Sequence, residues 1–288
     1  MKKWFLKQLH NFNMFIAWEG RSGYFEKIGP PGRPSNQDVQ LYYSKLSECK
    51  PYPKRILILG ATPELRKIAA QFSRDVTIVD FSPGILKKTA LLVPKEIREH
   101  ERIIIMNWLA MDRVFPLQSF DAILGDMVIR QVAHFEIPKF LKMLKNMLAS
   151  NGTLLMRVNV RNPLWTEIPR EKIVIDCVKQ YEEYGFAGFL STMMFRLYDK
   201  YADKTYSVDQ RGVRNALFAA HDAAEGRTKT YIKSLFGTLG KQKARWTHLP
   251  REKFEALALK DFTISNIIFA DDYPDAEFYP FYVLLPQT

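Results

Sequence analysis

The residues best able to do chemistry in this sequence fall into short, separated groups. Gly60 is followed by Thr62-Pro63-Glu64. Thr is a good helix N-cap, Pro suits the first helical turn, and Glu is favoured there by the helix dipole. A glycine that ends an apolar run and precedes such a helix start makes the corner at which α/β sheets bind nucleotides. Yet GATPE has one glycine where GxGxxG has three, and no GxxxxGK[ST] occurs. NAD, FAD and ATP phosphates are therefore poor candidates, and a nucleoside without phosphate is a better one. Asp80 lies twenty residues after Gly60, the position from which a carboxylate accepts both ribose hydroxyls; a plain turn or cap residue is the structural alternative. Farther on, Asp126, Arg130 and His134 recur every four residues, which on a helix puts Arg130 and His134 on one face, a turn beyond Asp126. That cluster could position a substrate carboxylate or take a proton; a helix surface with a satisfied histidine is the other reading.

These residues need a scaffold, and the pattern around them supplies one. RILILG (55–60) is a short apolar run closed by glycine, as in a buried parallel strand. In the segment after it Leu65, Ile68, Ala69 and Phe72 fall on one helical face. Further strands are expected at 75–81, 102–108, 119–126 and 152–160, with helices at 83–93 and 138–148. Alternation on this short period signals a parallel sheet covered on both faces. Residues 166–251 break the rhythm with helical stretches at roughly 171–184, 189–203 and 210–222, and strand character returns at 262–271 and 278–286. The expected fold class is α/β: a Rossmann-like, doubly wound, mainly parallel seven-stranded sheet with a helical insertion before the last two strands. The expected divisions are an N-terminal cap or lid (1–54), a cofactor-binding core (55–165), a helical substrate-side insertion (166–251) and the closing strands (252–288).

Charge is uneven along the chain. The net is +11, but residues 252–288 carry two basic and seven acidic side chains, while Arg227 to Arg251 holds seven Lys/Arg and no Asp or Glu. A basic stretch beside an acidic tail fits an acidic ligand, a nucleic acid or an internal charge match. Gly-containing FGTLG is expected to turn the chain and aim the two halves of the basic stretch apart. Two cysteines exclude a disulfide framework and a structural zinc site. No run approaches the ~18 apolar residues of a membrane span. Lys7, His10 and Asn11 interrupt the opening MKKWFLKQLHNFNMFIAW, so it reads as an amphipathic helix or cap and the protein as cytoplasmic. Its aromatics read as packing or as a lid, with Arg33 in GPPGRPS a candidate anion contact on that lid.

RILILGATPELRKIA, VTIVDFSPGIL, IIIMNWLAMDRVFPLQSFDAILGD and LKNMLASNGTLLMRV together resemble the successive motifs of the class I S-adenosylmethionine-dependent methyltransferases. The resemblance spans about residues 55–160, with weaker support from 262–286, and its LGATPELR and FPLQSFDAILGD forms look most like a bacterial subgroup acting on small molecules. It implies that Gly60, Ala61 and Thr62 face the methionyl part of the cofactor. It also implies that Asp80 holds the ribose, with Phe81 beside the adenine. Asn107 would read the adenine amine with Trp108 stacked nearby, and Asp126 would lie next to the methyl group and substrate. Two departures stand out. The position two before the first glycine is Ile58 where the family has an acid, and Thr62 and Glu64 replace the later glycines. Glu64 is the substitute expected for the methionine ammonium, or else a plain helix-start residue. Met-Val-Ile after Asp126 is not the Pro-Pro-aromatic run of the DNA N-methylating enzymes.

The expected function is methyl transfer from S-adenosylmethionine to an N or O atom of a small molecule, without metal. RNA methylation and non-catalytic nucleoside binding are the alternatives, the first from the basic stretch and the second from the reduced glycine loop.

Overall fold

The computed structural model describes residues 2–239 and 244–287. Two helices, α1 (Lys2–Arg21) and α2 (Asn36–Glu48), precede the sheet. Strand and helix then alternate: β1 (Arg55–Leu59), α3 (Pro63–Phe72), β2 (Asp75–Asp80), α4 (Pro83–Ala90), a short α5 (Lys95–Arg98), β3 (Glu101–Ile105), β4 (Phe120–Asp126), α6 (Ile137–Met147) and β5 (Leu148–Arg157). A second set follows: α7 (Leu164–Glu167), α8 (Arg170–Tyr201), β6 (Ser207–Asp209), α9 (Gln210–Ala223), α10 (Gly226–Leu239), β7 (Arg245–Thr247), α11 (Arg251–Ala258), β8 (Phe262–Ile268) and β9 (Phe281–Pro286).

The main sheet has the order β3-β2-β1-β4-β5-β9-β8. Strands β1 to β5 pair parallel, and β9 enters antiparallel between β5 and β8. Alternate residues of β1 explain its unbroken apolar run. Leu57 and Leu59 enter the core under α6, while Ile56 and Ile58 enter the opposite core under α2, α3 and α4. A strand buried on both faces has no polar side to show. Proline at the first or second position starts α3, α4 and α6, where the missing N–H has no partner to lose.

Three expectations are corrected. The two helices expected at 171–184 and 189–203 are one helix, α8, of 32 residues. Phe195 to Asp199 are all buried, so this part of the helix is wrapped on every side and shows no single apolar stripe there. The supposed turn at FGTLG lies inside α10 as far as Leu239. Last, residues 127–136 are not a helix: two 3-10 turns, Ile129–Gln131 and His134–Glu136, are separated by extended backbone at Val132 and Ala133. The shared face expected for Arg130 and His134 does not form.

A third core joins the N-terminal helix to the later insertion. Met14 and Ala17 of α1 pack with Met127, with Val174 and Leu197 of α8, and with Tyr273 and Tyr279. Helix α1 thus lies against both α4 and the insertion.

Candidate cofactor and substrate site

Gly60 has φ +94° and its N–H donates to Val79 O at 2.9 Å. A Cβ there would meet Trp108 at 3.6 Å and Asp80 Oδ2 at 3.8 Å, ordinary contacts. The demand for glycine comes from the backbone angle. Gly60→Ala is expected to lose about 1–2 kcal/mol in denaturant unfolding, the cost of a left-handed alanine.

Asp80 ends β2 and is buried. Its Oδ1 accepts from Ser82 N at 2.8 Å. Burial pushes its carboxyl up to about 6 against the pull of backbone N–H groups from Ser82, Phe81 and Ala61. Glu19 of α1 adds to the rise. Its own carboxylate accepts from Ser82 Oγ at 2.5 Å and Gly84 N at 2.9 Å, so the N-terminal helix caps α4 beside Asp80.

Trp108 Nε1 donates to Val79 O at 2.7 Å, fixing the indole beside Gly60 and edge-on to Phe81. Asn107 Oδ1 caps the following 3-10 turn through Leu109 N at 2.8 Å. Phe81, Asn107 and Trp108 line a narrow cleft together with Asn11 and Met14 of α1.

On the other side of the Gly60 turn, Glu64 pairs with Arg33 from the GPPGRPS loop. Each keeps one buried polar atom without a partner, Glu64 Oε2 and Arg33 Nε. Thr62 is the N-cap residue of α3 but makes no side-chain cap bond, and Ala61 is buried next to it.

Asp126 ends β4 with both oxygens on Arg157, Nε at 2.6 Å and Nη2 at 3.1 Å. Arg157 was not singled out from the sequence, yet it organises the carboxyl edge of the sheet. It also donates to Asp38 of α2 at 2.7 Å, to Pro31 O in the Arg33 loop at 2.9 Å, and to Tyr273 at 3.2 Å. Asp38 is aimed by its own helix start, where Ser35 and Asp38 form a reciprocal capping box. Ser-x-x-Asp before an apolar-spaced helix was the signal available for it. Burial pushes Asp126 up to about 6, with Arg157 opposing, and the carboxylates push Arg157 up.

Arg130 is buried with its guanidinium 4.2 Å from the Phe195 ring, 4.6 Å from Trp246 and 5.2 Å from Tyr198. His134, by contrast, is half-buried against Phe135, and burial lowers its pKa. The structure therefore brings Asp80, Phe81, Asn107 and Trp108 around Gly60, puts Glu64 beside the same turn, and separates Arg130 from His134.

Among the described residues the cations of the basic stretch are spread over three elements. Arg227, Lys229 and Lys233 lie on α10, Arg245 on β7, and Arg251 pairs with Glu255; Lys241 and Lys243 lie outside the described residues. The acidic tail meets other partners: Asp275 pairs with Arg196, and Gln37 bonds to Asp271 and Asp272.

No family model and no curated protein matches the sequence. Solved structures do. A protein from Rhodobacter sphaeroides described as a Zn-dependent alcohol dehydrogenase aligns with TM-score 0.59 and 16% identity over 96% of this chain and 98% of its own. N-methyltransferase NodS from Bradyrhizobium japonicum WM9, solved with S-adenosylhomocysteine, aligns with TM-score 0.51 and 10% identity over 94% and 99%. The PH0226 protein from Pyrococcus horikoshii OT3 aligns with TM-score 0.50 and 13% identity over 88% and 93%. The antiparallel β9 separates this sheet from the all-parallel dinucleotide fold, and with the NodS likeness it decides the fold. The chain has the class I S-adenosylmethionine-dependent methyltransferase fold. Among the described residues, no three His, Cys, Asp or Glu side chains converge to hold a metal. None of the described helices is long and apolar enough to cross a membrane.

Proposed function

We propose that this protein transfers a methyl group from S-adenosylmethionine to an N or O atom of a small molecule. One observation carries the reading. A buried carboxylate, Asp80, and an Arg33–Glu64 pair with two unpartnered buried atoms flank the same left-handed Gly60 turn. These residues fit the cofactor. Asp80 accepts the ribose hydroxyls, as a carboxylate at the end of a second strand does. Glu64 Oε2 and Arg33 Nε meet the ammonium and carboxylate of an amino acid, charges complementary to their own.

Asn107 spends an oxygen lone pair on Leu109 N, so its amide N–H₂ is the donor it offers to adenine ring nitrogens. Phe81 and Trp108 cover the base. When bound, the sulfonium supplies an activated methyl for in-line transfer, which needs positioning more than acid–base help. Asp126 holds Arg157, and through it the Pro31 carbonyl and Asp38, so its part is to position the loop that carries Arg33. Helix α1 and the 166–251 insertion form the cover on the substrate side.

Calorimetric titration with S-adenosylhomocysteine tests the reading. Glu64→Gln is expected to weaken that ligand about tenfold, a charge-assisted hydrogen bond. Methylthioadenosine, which lacks the amino-acid part, is expected to bind wild type and variant equally. No binding of either ligand to wild type overturns the proposal.

A further inference from the structure

A second polar cluster sits above the carboxyl edge of the sheet, outside the cofactor residues. His248 follows β7 and is wholly buried. Its Nδ1 lies 3.1 Å from Asp199 Oδ1 of α8. The Asp199 contact occupies Nδ1 and leaves Nε2 as the ring's other polar atom. Among the described residues Nε2 has no partner, and neither do two nearby buried atoms, Arg161 Nε and Asn159 Oδ1. The three belong together. Val160 pairs with Leu249 in a parallel bridge, and Arg161 N donates to Leu249 O at 2.8 Å, so Asn159 and Arg161 flank the strand position beside His248.

Three unpartnered buried polar atoms on neighbouring strand positions call for a partner. Their surroundings define an occupant. Arg130 and Arg161 both act electrostatically on His248 and Asp199, the Asp275 carboxylate also acts on Asp199, and burial holds the Asp199 carboxyl well above its usual range. Phe195, whose ring lies 5.5 Å from Tyr279, supplies flat apolar walls. The spot is tied to the core site as well, because Thr247 Oγ1 donates to Val132 O at 2.7 Å, in the segment that follows Asp126.

We propose that Asn159, Arg161, Asp199 and His248 form a binding subsite for a small aromatic hydroxy acid, with the hydroxyl on His248 Nε2 and the carboxylate on Arg161. The assignment rests on the methyl-transfer reading and names its acceptor class. Burial and the two arginines lower the His248 pKa, which keeps the ring neutral at physiological pH.

The test is calorimetry on the full chain with 4-hydroxybenzoate, benzoate and phenol, each with and without saturating S-adenosylhomocysteine. In wild type 4-hydroxybenzoate is expected to bind at least tenfold more tightly than either fragment. His248→Gln, which still offers Asp199 an N–H, is expected to bring it down to the affinity of benzoate. Arg161→Met is expected to bring it down to that of phenol. Both variants keep their affinity for S-adenosylhomocysteine.

Nitrogen-15 spectra of wild-type histidines give a readout that needs no variant: the Nε2 signal of His248 should move on adding 4-hydroxybenzoate. Equal binding of the three probes, no saturable binding of the acid, or an unmoved Nε2 signal overturns the subsite and leaves water as its occupant. Loss of S-adenosylhomocysteine binding in wild type sinks the methyl-transfer reading alone and leaves the acid titration to stand or fall separately.

Discussion

Arg157→Met should destabilise the protein by about 3–5 kcal/mol, the usual cost of removing one partner from a buried ion pair. Arg157 has no exposed side-chain surface, and its two carboxylate partners, Asp38 and Asp126, are almost as buried. The methionine fills much of the space but leaves two negative charges without compensation. Chemical denaturation measures the loss, and its pH dependence identifies the cause. With Arg157 gone, Asp126 loses the charge that opposes its burial and takes up a proton more readily as the pH falls. The penalty should therefore be smaller at pH 5 than at pH 7, and adding Asp38→Asn should restore part of the stability at pH 7. A loss of similar size at both pH values, unrelieved by Asp38→Asn, would mean that Arg157 matters for its packing and not for its charge. The variant should also bind S-adenosylhomocysteine more weakly, because the Pro31 carbonyl that anchors the Arg33 loop accepts from Arg157.

That network also marks where sequence reading runs out. The strands were legible because a strand buried on both faces is a local apolar run, as β1 and β4 are. Gly60, Asp80 and Asn107 were legible because each sits at a strand end within a motif of local spacing. Arg157 was not. It lies 119 residues from Asp38 and 116 from Tyr273, and a lone arginine ending an apolar strand has no periodicity to set it apart. Asp199 and His248, 49 residues apart on different elements, are hidden for the same reason. Arg130 and His134 show the opposite error. Their spacing is right for a helix, but the chain after Met127, at φ +53°, makes two separate 3-10 turns. Spacing on a helix that does not form carries no shared face.

Asp80 carries the other large expected effect, and it appears in both stability and binding. Its carboxyl, pushed up to about 6 by burial, titrates near 4 in an unfolded chain. Between those values the folded protein holds a proton that the unfolded chain has released. The contribution of this group to stability is therefore present below pH 4 and is lost as the pH rises through 6. Linkage over that span puts the loss at about 3 kcal/mol. Asp80→Asn cannot ionise, so it should be more stable than wild type at pH 7 and should lack this share of the pH dependence; Asp126 keeps its own.

Ribose hydroxyls reverse the preference, because they donate to the ionised carboxylate and favour it. S-adenosylhomocysteine should thus bind about tenfold more weakly at pH 5 than at pH 7 in wild type, the ratio set by the ionised fraction one unit below about 6. It should also release protons on binding near pH 6, measurable by calorimetry in buffers of unequal ionisation enthalpy. In Asp80→Asn the affinity should be lower and flat across this range. Wild-type affinity that is equally flat would remove Asp80 from the cofactor site. A variant that is both more stable and weaker in binding would identify Asp80 as a buried charge kept for its ligand.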